Sequence, residues 1–182
     1  MYISTKHIRT VLLVLTWIIF VGLCIEACGF IFNSFFSLAI KPVAAKQFWN
    51  GLDFSSLYAF DKGQFFVVTL FMIIVAVSRA ILFYLIIKLL HDKNLSLSRP
   101  FSTDVRRFII VMTYVSFLIG LFSLWGVRYT EWLSKQGVQF PDIEQMRLGG
   151  GDVWLFMSVI LFVIAYVFKR GIEIQTENEL TV

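Results

Sequence analysis

The chain has 182 residues, of which 58% are hydrophobic, 17% aromatic and 15% charged. A soluble domain is usually about 45–50% apolar, so this composition excludes an ordinary water-soluble globule. The net charge of +4 is small and lacks the clustered basic face of a nucleic-acid-binding domain, so direct nucleic-acid contact is not expected.

The pattern predicts an all-α fold, an integral membrane bundle of four transmembrane helices forming one domain over residues 1–182. Four apolar stretches, at about 8–32, 65–90, 108–127 and 153–168, reach the about 20 residues that cross a hydrocarbon core. Each is apolar all round, and the strict alternation of a β-barrel is missing.

The first stretch follows Lys6, His7 and Arg9 and begins like a secretory signal, and Ala27-Cys28 faintly matches a lipoprotein cleavage site. Glu26 fits that site poorly, and the run outlasts the about 7–15 apolar residues of a signal core. It reads as an uncleaved helix whose apolar character trails on to Ile40. Cys24 and Cys28 are four apart on one helix face, where the side chains diverge too far for a disulfide. Two thiols fall short of a metal site, and His7 and His91 lie near the far ends of the spans, so the cysteines read as soft packing residues.

The first outer loop, about 33–64, carries Phe48, Trp49, Leu52, Phe54, Leu57, Tyr58 and Phe60 among polar residues. It is expected to form a short amphipathic helix or turn at the membrane surface, where Trp and Tyr are favoured. The second span carries Arg79. Glu26 and Arg79 are the two charges set away from span ends, and such charges face the bundle interior and find a partner. Two readings of this intramembrane pair stand: an ion pathway or gate, and a structural clamp.

The link at about 91–107 runs Asn94-Leu95-Ser96-Leu97-Ser98-Arg99-Pro100-Phe101-Ser102, then Asp104, Arg106 and Arg107. Pro100 disfavours helix at Arg99, and Ser102 or Thr103 is placed to cap the third helix. The second outer loop, about 128–152, holds Tyr129, Trp132, Phe140 and Pro141 and ends in Gly149-Gly150-Gly151. That triplet lacks the following Lys-Ser/Thr of a phosphate loop and reads as a flexible lead into the fourth helix. Polar residues inside the spans, such as Thr16, Thr69, Thr113, Ser116, Ser123 and Ser158, are expected to make interhelical hydrogen bonds.

Basic residues orient the chain. Lys6 and Arg9, then Lys88, Lys93, Arg99, Arg106 and Arg107, then Lys169 and Arg170 all fall on one side. The six basic residues opposite are spread out and offset by acidic ones, so the positive-inside rule puts both termini and the link in the cytoplasm. The tail at about 169–182 turns acidic after Arg170 and alternates with Ile172, Ile174, Leu180 and Val182. It is expected to be ordered against the basic link. The dock so formed comprises Arg99, Pro100, Phe101, Arg106 and Arg107 with Gly171, Ile172, Glu173, Gln175, Glu177, Asn178, Glu179 and Leu180. No catalytic constellation, cofactor motif or metal-ligand set is found.

Pro100-Phe101-Ser102 and the run from Gly171 to Val182 resemble the bacterial membrane family known as "domain of unknown function 2975". The resemblance covers nearly the whole chain, and its specificity rests mainly on the tail. It implies four spans and no established enzymatic activity. Members are often encoded beside a small helix-turn-helix regulator, which implies a membrane partner for a transcription factor. The leading expectation is a regulatory or sensory scaffold in a bacterial cytoplasmic (inner) membrane, docking such a regulator at its cytoplasmic face. A small transporter or channel subunit using Glu26 and Arg79 is the alternative, followed by a structural or assembly protein. The expected partners are the lipid bilayer, the regulator and further copies of the chain.

Overall fold

The computed structural model describes residues 5–91 and 101–180. Four long helices cross back and forth: α1 (Thr5–Ala39), α3 (Lys62–His91), α4 (Thr103–Ser134) and α5 (Gly151–Leu180), with a short α2 (Ser55–Phe60) in the first loop. All four long helices are apolar enough to cross a membrane. The protein is an all-α, multi-pass membrane protein.

The helices overrun the expected spans. α1 has 35 residues, about 52 Å at 1.5 Å per residue, against a hydrocarbon core of about 30 Å. Hydropathy sees only what lipid demands. Past the expected spans the α1 and α4 helices continue into buried contacts at Ser34, Ser37, Thr130 and Leu133. α3 starts under a cap that the pattern does not advertise, the Asp61 carboxylate accepting from the Gln64 N–H at 2.8 Å. α4 starts where expected, with the Ser102 hydroxyl accepting from the Val105 N–H at 3.2 Å.

The long helices pack in chain order, α1 on α3, α3 on α4 and α4 on α5. Among the described residues the backbones of α1 and α5 do not come close, so the long helices form a row in chain order. α4 meets its neighbours along buried small residues, including Thr113, Ser116, Gly120, Ser123, Gly126 and Thr130. Small residues let backbones approach closely in lipid, where hydrophobic attraction between helices is missing. A Cβ on Gly120 would stand 2.8 Å from the Gly151 carbonyl oxygen, so α5 begins opposite the middle of α4. The glycine triplet is therefore a close crossing as well as a lead into α5.

Four of the hydroxyls expected to bridge helices bond within their own helix instead. Thr16, Thr69, Thr113 and Ser158 each donate to a carbonyl three or four residues back on their own helix. Such back-bonding satisfies the hydroxyl locally. A side-chain bond that does cross between helices runs from the Tyr129 hydroxyl to Gln64 Oε1.

The loops form a folded layer. A 3-10 helix, Pro42–Gln47, leads into a reversal at Asn50 and Gly51, whose φ values of 56° and 77° lie in the left-handed region. The reversal pairs Phe48 with Leu52 as an antiparallel bridge. Phe48, Leu52, Phe54 and Leu57 are then buried with Phe30 and Phe65. The Phe48 and Phe54 rings meet edge-on at 5.2 Å. The loop thus forms short helices and a turn, and its aromatics face one another in a protein core. Val138, Met146 and Leu148 of the second loop complete it, and the Gln139 N–H donates to Ser56 Oγ at 3.0 Å to join the loops.

Two cores result. The loop-end core takes in the loop halves of α1, α3 and α4. The other, at the end holding both chain termini, gathers around Leu82, Ile109, Met112 and Ala165. α5 from Gly151 to Phe168 extends roughly 27 Å, close to one hydrocarbon thickness. The loop-end core joins both loops to span residues such as Phe30, Met72, Val75 and Ile119.

Candidate functional site

Two groupings of the expected site residues emerge, one at each end of α5. The first forms where α5 begins. Met146 and Leu148 are fully buried, and they hold Arg147 between them in a left-handed conformation, φ 60°. That conformation costs about 1–2 kcal/mol for a residue other than glycine, and the flanking burial enforces it. Arg147 Nε thereby donates to Glu26 Oε1 at 2.7 Å, clamping the second loop to α1.

Glu26 thus has Arg147 as its direct partner, in place of the expected Arg79. Arg79 lies nearby. Its guanidinium carbon sits 5.7 Å from the Trp154 ring centre on α5, and its charge feels both the attraction of Glu26 and the repulsion of Arg147. Its Nε is buried without a hydrogen-bond partner among the described residues. A stacked guanidinium keeps part of its stabilisation through the ring face. The cluster therefore holds two cations and one carboxylate across α1, α3, the second loop and α5. Sequence reasoning missed Arg147, which lies 121 residues from Glu26 and reaches it only once the second loop has folded back.

The second grouping is at the far end of α5. The Phe101 ring meets Phe168 at 5.3 Å, tilted by 69°. Gly171 lies beneath it, and a Cβ there would come within 2.5 Å of the ring. Phe101 is thus seated on a notch that only glycine leaves open. This brings together the link and the start of the tail, as the dock requires.

The rest of the dock is placed differently from expectation. The tail is helical, because α5 runs on to Leu180. Glu173 pairs on its own helix with Arg170 at 3.0 Å and Lys169 at 3.8 Å, pairs at the helix spacing that favour this form. Ile172, Glu173 and Gln175 are half-buried, and Ile174 and Glu177 are exposed. Arg106 buries its Nε without a partner among the described residues, and Arg107 lines a groove toward α3. Asn178, Glu179 and Leu180 lie on the helix, with only their backbone described. Arg99 and Pro100 lie outside the described residues.

Cys24 and Cys28 are free thiols, and among the described residues no cluster of His, Cys, Asp and Glu has the makings of a metal site. Comparisons with protein-family models, curated proteins and solved structures find no match to the chain.

Proposed function

We propose that the protein is a non-enzymatic regulatory or sensory scaffold of a bacterial cytoplasmic membrane, with both termini inside. The observation that carries this reading is the seating of Phe101 on Gly171. It couples the start of α4 to the helical tail, so a partner on the tail bears on the bundle and a change in the bundle alters the tail. At the other end the Glu26–Arg147 clamp ties the folded loop layer to the start of the same helix. α5 thus joins an outer domain to an inner projection, the layout a signal relay needs. The basic asymmetry supports the orientation. The resemblance of Pro100-Phe101-Ser102 and of the run from Gly171 to Val182 to the four-span family supports a small helix-turn-helix regulator as the docked partner.

The test is photo-crosslinking from position 177 in native membranes, with the captured protein assayed for DNA binding. A DNA-binding partner is expected with the unaltered chain. Gly171→Leu, which expels Phe101, should lose it, while Lys135→Gln should keep it. Recovery of no DNA-binding protein, or equal recovery with Gly171→Leu, would reject the dock.

A further inference from the structure

A groove of about 470 Å³ lies between the terminal-end halves of α3 and α4, lined by Leu85, Lys88, Asp104, Arg107, Phe108 and Val111. Lys88 is in the last turn of α3 and Asp104 in the first turn of α4. The polar side chains therefore sit at the rim of the lipid layer, and Leu85 and Val111 continue the groove one turn inward. The Lys88 ammonium stands 5.6 Å from the Phe108 ring centre. Among the described residues Lys88, Asp104 and Arg107 form no ion pair or hydrogen bond with protein. Two cations and a carboxylate thus share one amphipathic groove without neutralising each other.

We infer that this groove binds one glycerophospholipid carrying a single negative charge. Its phosphodiester would lie between Lys88 and Arg107, and an acyl chain along Leu85 and Val111. Basic pockets between transmembrane helices are suited to anionic headgroups, and arginine adds bidentate geometry toward a phosphate. Asp104 sets the charge limit. The groove carries a net +1 from its three charged side chains, which one phosphodiester balances, and the carboxylate repels a second negative charge on a phosphomonoester or free phosphate.

The test is native mass spectrometry of the full chain in mild detergent, titrated in turn with phosphatidylglycerol, phosphatidylcholine, phosphatidic acid and inorganic phosphate. One phosphatidylglycerol per chain is expected to bind more tightly than phosphatidylcholine or phosphatidic acid. The double variant Lys88→Gln with Arg107→Gln should weaken it by roughly thirtyfold, each basic residue contributing on the order of fivefold. Lys135→Gln should leave it unchanged, and Asp104→Asn should raise phosphatidic acid binding. Val111→Trp, which fills the acyl wall and spares both cations, should also expel the lipid. Equal phosphatidylglycerol binding by the double variant or by Val111→Trp would overturn the site. Tight binding of inorganic phosphate that is lost in the double variant would overturn its assignment to lipid.

Discussion

At the loop end Phe54, Leu57 and Phe65 are sealed completely, whereas Leu82 and Ile109 at the other end keep 8% and 6% of their surface exposed. The first group is drawn from both loops and three helices and interlocks as a soluble core does. In the second, Leu82, Ile109 and Ala165 face one another across helices already surrounded by apolar solvent. Water drives the first assembly. In lipid, close fit and small residues must do so instead. One chain therefore joins two cores of different build along the same helices.

The largest test of this division is a cavity. Phe54→Ala should cost about 3–5 kcal/mol in reversible unfolding of the loop layer, followed by intrinsic fluorescence in mild detergent. Leu82→Ala should cost less, since lipid or detergent tails can fill what is lost. If the two variants lose equal stability, the division fails.

A crowding test sharpens the other side. At Gly29 a Cβ would stand 2.3 Å from the Trp49 ring, and at Gly120 one would stand 2.7 Å from Leu155. Gly29→Ala and Gly120→Ala should each cost about 1–3 kcal/mol. The first should loosen the first loop alone and the second should part α4 from α5, a difference that cysteine accessibility at positions 49 and 155 separates. A cap tested alone is smaller again. Ser102→Ala should cost about 1 kcal/mol and speed amide exchange in the first turn of α4 without touching α5.

The smallest effect is a titration. Hydrogen bonds from the Ser55 side chain and backbone hold the fully exposed Asp53 carboxyl below its ordinary value. A carboxyl lowered on folding adds stability above its unfolded pKa, and that stability is lost as pH falls through the folded value. Exchange at Ser55 should thus quicken only below the ordinary carboxylate range, and Asp53→Asn should abolish the pH step.

The four spans were legible because about 20 apolar residues in a row have few other uses. The Ser102 cap was legible because it stands just before Thr103 and Asp104 at the start of an apolar run. What escaped depended on distant partners. The loop aromatics carry the composition of a membrane-surface segment, and only the turn at Asn50 and Gly51 lets them face inward. The pairing of Glu26 with Arg147 depends on a backbone conformation that arginine seldom adopts. The helical tail was nearer to hand, since Lys169 and Arg170 stand four and three residues before Glu173. The alternation of apolar and acidic residues drew the reading toward pairing with the basic link instead.

The row also bears on passage through the membrane. Among the described residues the long helices make close backbone contact only with their chain neighbours, although Arg79 of α3 reaches across to Trp154 of α5. With no close backbone contact between α1 and α5 among the described residues, a single copy leaves the row open at its two edges. A continuous aqueous conduit would therefore need a second molecule, or another protein, to supply the missing wall, and the Arg79 guanidinium beside Trp154 would then line a shared seam rather than a private pore.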